Sequence, residues 1–266
     1  MRWALAPVLL LGLGLSSSAT AARKSATTRE PDAQPVWEQP GGRAKARMEM
    51  AEALLEAGSV DACLELIAQM RMEKVRGVDI ERLHARALRT AGLDEDAHDV
   101  LQQIVRRWPR DAASHNELGI LAMDRQQVDS AVEHFASAAR LDDGNADFLN
   151  NLGFAQLSNG QAEDAVASLR KALRADSSRD QTRNNLGFAL VAAERPDEAF
   201  RVFRAASTPA DAHYNVGVGL ELKDDVEGAA ARFEKALSVD PGHPGARTAL
   251  TRLQTPTDPS ADPQEP

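Results

Sequence analysis

At 266 residues, with 43% hydrophobic and 27% charged side chains, the chain is long enough for one or two folded domains and ordinary enough in composition to bury a core. Its 40 acidic residues outnumber 31 basic ones for a net charge of −9, and no Lys/Arg block runs long enough to follow a phosphate backbone, which excludes nucleic acid as an expected partner. Aromatic residues make up 4%, so the core is expected to be built from Ala, Leu, Val and Gly, which suits closely packed helices better than a β-sandwich.

The chain opens with Arg2, an apolar run from Ala4 to Leu15, and small residues from Ser16 to Ala21 that end in an A-x-A pattern. That order reads as a secretory signal peptide over residues 1–21. The apolar run is 12 residues long, against the roughly 20 that a transmembrane helix needs, so cleavage is expected rather than retention as an anchor. The mature chain is therefore expected to have no stable membrane span and to reside in the periplasm or cell envelope. Cys63 is the only cysteine, so there is neither a lipid-attachment Cys near the cleavage region nor an internal disulfide. Residues 22–43, with Pro31, Pro35, Pro40 and a Gly pair, keep no helical or alternating period and read as a disordered linker.

From Ala44 a helical period begins. Met50, Ala53, Leu54 and Ala57 fall at i, i+3, i+4 and i+7; Gly58 stops the helix, and a second stretch runs from Asp61 through Leu64, Ile67 and Ala68. The pattern repeats as Leu83 to Leu88, Gly92, then Asp96 to Arg107 closed by Pro109, with Gly92 34 residues after Gly58. Further on the period becomes a phrase. Asn150-Asn151-Leu152-Gly153-Phe154-Ala155 recurs as Asn184-Asn185-Leu186-Gly187-Phe188-Ala189, flanked by Asn116-Glu117-Leu118-Gly119 and Tyr214-Asn215-Val216-Gly217. A fixed period of this length is the mark of stacked supersecondary units, none of which can bury its apolar face alone. After Leu253, residues 254–266 hold four prolines and read as a disordered acidic tail.

These residues resemble the tetratricopeptide repeat, a 34-residue pair of antiparallel helices with Leu-Gly, then Ala, Phe, Ala and Pro at fixed offsets. With Leu-Gly at positions 7 and 8, unit 112–145 carries Leu118, Gly119, Ala131, Phe135 and Ala138; unit 146–179 carries Leu152, Gly153, Ala165, Leu169 and Ala172. Unit 180–209, four residues short, carries Leu186, Gly187, Ala199, Phe203 and Ala206, and unit 210–243 carries Val216, Gly217, Ala229, Phe233, Ala236 and Pro241. Weaker units precede them at 44–77, with Cys63 in place of the packed Ala, and at 78–111. The resemblance implies an all-α, right-handed superhelix (α-solenoid) of about six repeats over 44–253, closed by a capping helix at 244–253. Small residues at positions 8 and 20 are expected to let the two helices of a unit approach, while Leu at 7 and Phe at 24 fill the space to neighbours.

The same resemblance implies that the first helices line a concave groove. Position 5 reads Asn116, Asn150, Asn184 and Tyr214, position 9 reads Ile120, Phe154, Phe188 and Val218, and position 6 adds Asn151, Asn185 and Asn215. Amides that donate and accept, beside an apolar row, suit the backbone and side chains of an extended peptide. The rival reading makes position 6 a family habit and the position 9 rings packing between repeats. A clamp for a terminal carboxylate is not expected, because positions 2 and 6 hold Ala113 and Glu117, Asp147 and Asn151, Gln181 and Asn185, Asp211 and Asn215, with no cation among them.

No catalytic, cofactor or metal constellation emerges, and the chain is not expected to be an enzyme. The six histidines lack paired-ligand spacing, and His115 and His213 fall at position 4, where a packing residue belongs. Asp143, Asn145 and Asp147 imitate the start of a calcium loop, but Phe148 and Phe154 stand where its Gly and bidentate Glu are needed. Basic residues gather late in the second helices, as Arg106, Arg107 and Arg110; Arg170, Lys171 and Arg174; Arg201 and Arg204; and Arg232 and Lys235. They read either as a surface for an acidic partner or as complements to the helix dipole. The repeated phrases, the export signal and the short unit ending at Ser207 to Ala212 resemble the tetratricopeptide-repeat proteins of bacterial Flp/Tad pilus assembly and tight adherence. That resemblance implies an exported scaffold holding an extended segment of a pilus or secretion component. The alternatives are a general cell-envelope adaptor without a pilus role, or a binding module associated with an envelope enzyme.

Overall fold

The computed structural model describes residues 42–254; the expected signal peptide, all but the last two residues of the expected linker, and the tail beyond Gln254 lie outside the described residues. Every element among the described residues is a helix. They group into two compact units divided after Asp143. The first holds α1 (Gly42–Glu56), α2 (Val60–Met72), α3 (Val78–Thr90), α4 (Asp94–Arg107), α5 (Ala112–Asp124) and α6 (Val128–Leu141). The second holds α7 (Ala146–Ser158), α8 (Ala162–Ala175), α9 (Asp180–Ala192), α10 (Pro196–Arg204), α11 (Pro209–Glu221), α12 (Val226–Val239) and α13 (Pro244–Gln254). Within each unit every helix packs on the one before it. First helices of successive hairpins also touch, α1 against α3 in one unit and α7 against α9 against α11 in the other.

The hairpin turn is set by one backbone device used six times. Each first helix ends on a residue with positive φ, namely Gly58, Gly92, Gln126, Gly160, Glu194 and Asp224. That residue and its successor turn their N–H groups back onto the helix, as when Gly160 donates to the Leu157 carbonyl at 3.0 Å and Gln161 to that of Gln156 at 2.8 Å. This satisfies carbonyls that the helix end would otherwise leave open. Three of the first helices, α5, α7 and α11, start on side-chain caps: Asp111 accepts from the Ser114 N–H at 3.0 Å, Asn145 from those of Asp147 and Phe148, and Thr208 forms a reciprocal capping box with Asp211 ahead of Pro209.

Inside each hairpin the helices meet at small residues. Position 20 (Cys63, Ala97, Ala131, Ala165, Ala199, Ala229) is fully buried throughout. The position 24 side chain lies over position 8 of its own hairpin rather than reaching only to neighbours. A Cβ added at Gly119 would come within 2.6 Å of Phe135, and one at Gly217 within 2.6 Å of Phe233, with Gly153 equally tight against Leu169 and Gly187 against Phe203. Glycine is required there by the side chain at position 24, a ring in three hairpins and Leu169 in the fourth, not by backbone conformation.

Candidate functional site

Burial sorts the eleven groove positions. On α5, Asn116 and Ile120 are buried, and on α7 so are Asn150, Asn151 and Phe154, the last only 3% exposed. On α9, Asn185 is buried while Asn184 is exposed and Phe188 half-buried; on α11, Tyr214, Asn215 and Val218 are half-buried. The asparagine row is therefore not an open ladder. Asn185 Nδ2 donates to Asn150 Oδ1 at 3.1 Å, an amide–amide hydrogen bond between first helices of adjacent repeats that takes up polar capacity expected to serve a ligand. Phe188 is likewise not free, since its ring stands edge-on to Phe203 with centroids 5.3 Å apart. Tyr214 turns inward to Phe233 (5.7 Å) and His243 (5.0 Å), and a Cβ at Gly245 would strike its ring.

What is left accessible in the second unit is narrower. Asn184 and Phe188 stand one turn apart on α9, and Asn215, Val218 and Leu222 form a stripe on the adjacent α11. Leu222 belongs to this stripe by the i+4 step from Val218, a spacing visible in the sequence but not used in the position 5, 6 and 9 rows. An exposed amide beside half-buried apolar side chains can hydrogen-bond an extended backbone and cover its side chains.

Position 2 carries a connection that the sequence reading missed. Asp147 on α7 is gripped by Arg179, the residue that opens α9, and Arg179 Nε also meets Asp176 at 2.9 Å. Two repeats later, Asp211 on α11 meets His243 Nε2 at 3.2 Å, while His243 Nδ1 accepts the Ala246 N–H at 3.0 Å and so caps α13. An acid at position 2 facing a base 32 residues on was the available signal. The hydroxyl of Thr208, then its N–H and His243, hold the Asp211 carboxyl below the usual carboxylate range. Two acids that a clamp would replace with cations thus tie successive repeats together.

The histidines pack. His213 stacks on Phe200 with centroids 4.3 Å apart, and His115 lies 6.2 Å from His134. Among the described residues no group of three acidic, His or Cys side chains is placed to hold a metal ion, and no helix is long and apolar enough to cross a membrane.

Two family models match this arrangement of hairpins, both described as tetratricopeptide repeat, over residues 82–146 and 122–181. Residues 82–181 are thus tetratricopeptide repeats, and the chain has the all-α fold of such repeats. No curated protein sequence matches it. Among solved structures, the tetratricopeptide-repeat protein YrrB, described as having an unusual peptide-binding site, aligns with a TM-score of 0.57 at 23% identity, covering 70% of this chain and 97% of YrrB. PilF of Pseudomonas aeruginosa aligns at 0.58 and 15% identity, covering 79% of this chain and 99% of its own. MamA of Desulfovibrio magneticus aligns at 0.54 and 17%, covering 69% and 96%. These likenesses establish the tetratricopeptide-repeat fold, a fold for protein interaction.

Proposed function

We propose that the protein is an exported scaffold that holds an extended segment of a partner protein along α9 and α11. The observation that carries this reading is the pairing of exposed Asn184 and half-buried Phe188 with the Asn215, Val218 and Leu222 stripe on the next first helix. YrrB, described as having a peptide-binding site, is similar in fold and supports the class of ligand. The pathway we favour is pilus assembly or secretion. Its support is the Asn-Asn-Leu-Gly-Phe-Ala phrases, the signal-like first 21 residues and the short fifth repeat. PilF of Pseudomonas aeruginosa shares the fold and adds only that.

The test is site-directed photocrosslinking in the native cell, with the crosslinker at 184 or 215 and, as a control, at the exposed position 103 on α4. Crosslinks to one shared partner segment from 184 and 215, absent from 103, are expected. Equal yields from all three positions, or none, would overturn the surface. Unimpaired piliation on deletion of the gene would remove the pathway while leaving the surface standing, and an N-terminus that still begins at Met1 in the isolated protein would remove export by cleavage.

A further inference from the structure

The short repeat makes a second surface, on the second helices. In the same unit α8 and α12 each run 14 residues, whereas α10 runs 9. Beside α10 lies a depression of about 270 Å³ lined by Leu173 of α8, Arg183 of α9, Glu198, Arg201 and Val202 of α10, and Ala205, which caps α10. The last four fall at i, i+3, i+4 and i+7, one helical stripe. Leu173 and Val202 are partly buried against the core of the unit and form an apolar floor. The volume is below the roughly 300 to 1,000 Å³ of small-molecule sites and suits a single inserted side chain.

The rim is cationic in a chain whose net charge is −9. Its carboxylates are already engaged: Glu198 is held by Arg170 at 2.8 Å and Arg195 at 2.7 Å, and Asp180 by Arg183. Exposed Arg201 reaches no carboxylate within ion-pair distance among the described residues, and neither do Lys171 and Arg174 on α8 or Arg204, which donates to the Ser207 carbonyl at 3.1 Å.

We propose that this depression docks an acidic peptide segment of a partner, one aliphatic side chain resting on Leu173 and Val202 and the flanking carboxylates on Arg201 and its neighbours. Guanidinium groups bind carboxylates bidentately, so Arg201 supplies orientation as well as charge. The site lies apart from the α9 and α11 stripe and stands or falls independently of it.

The probe is a fluorescein-labelled peptide, Gly-Asp-Glu-Leu-Asp-Glu-Gly, titrated into the full chain and followed by anisotropy at low and raised salt. Binding that weakens with salt, falls by about tenfold or more in Arg201→Glu, falls again when the peptide Leu is replaced by Ser, and is unchanged in Asn184→Ala is the expected result. Circular dichroism melting of Arg201→Glu, an exposed substitution, is expected to match wild type. Absence of binding, or binding indifferent to Arg201→Glu, overturns the proposal. Indifference to Leu→Ser in the peptide reduces it to diffuse electrostatics and also overturns it, as does loss in Asn184→Ala, which would place the peptide on the first helices. Binding seen only after removal of residues 255–266 would make the chain's own acidic tail the occupant instead of a partner.

Discussion

Gly187 and Phe203 show how much one side-chain hydrogen can cost. Replacing a mid-helix Gly by Ala ordinarily stabilises by about 1 kcal/mol, but here the new methyl would drive into the Phe203 ring, and overpacking of a filled core costs about 1 to 3 kcal/mol. Gly187→Ala is therefore expected to lower the urea midpoint despite its better helix propensity. Asn185 and Asn184, neighbours in sequence, are expected to differ in the same assay. Asn185→Ala strands the buried Asn150 oxygen and costs about 1 to 3 kcal/mol, while Asn184→Ala on the surface stays within about 0.5 kcal/mol. The Asp176 carboxyl is lowered to about 2, first by the Ser178 hydroxyl, then by the Ser178 N–H and Arg179. A depressed folded pKa contributes stability above the ordinary 3.8 that is lost as pH falls from there toward about 2. Carboxyl NMR titration is expected to find that low midpoint, moved toward the ordinary value in Ser178→Ala.

At the scale of the helical hairpin, much was readable in advance. Glycines and alanines at a fixed period, with bulky residues sixteen positions later, specify two helices in close contact, and the structure adds that the bulky group covers the small one within the same hairpin. The ligand face was less readable. A row of Asn at one register looks the same in sequence whether its amides face solvent or each other, and only the approach of α9 to α7 decided that Asn150 and Asn185 bond together. Phe188 was similarly indistinguishable from a free groove aromatic until Phe203 appeared at its edge. The turns offer a direct check. Gln126, at φ +59°, occupies a left-handed position filled by Gly in three of the six hairpins, and relief of its Cβ crowding is worth about 1 kcal/mol. Gln126→Gly is expected to raise the thermal midpoint, unlike a Gly placed in the middle of α5.

Across the molecule, titration of half-buried imidazoles should make mild acid destabilising. Burial is the first cause that lowers His84, His134 and His213 from the ordinary 6.5; His134 also feels His115 and His98, opposed by Glu133, and His213 feels Arg232 and Lys235. Because these groups resist protonation in the folded chain and not in the unfolded one, stability present above 6.5 declines as pH falls below it. Denaturant midpoints are expected to drop between neutral pH and about 5, with a shallower slope in His134→Asn. In a stack where each repeat leans only on its neighbours, such losses add locally.

The ring seated on a bare backbone has a consequence for how such a sequence can drift. In the first two hairpins the same register holds Ala51 with Ile67 and Ala85 with Leu101, each pair buried in one shared core, a methyl with a smaller aliphatic group. The hairpin of α7 and α8 stands between the two, with Gly153 kept beneath Leu169, an aliphatic group that an added Cβ would still strike. The order of drift is thereby set: the bulky position shrinks first, as Phe203→Leu would, and a methyl at 187 follows only where its partner has moved aside.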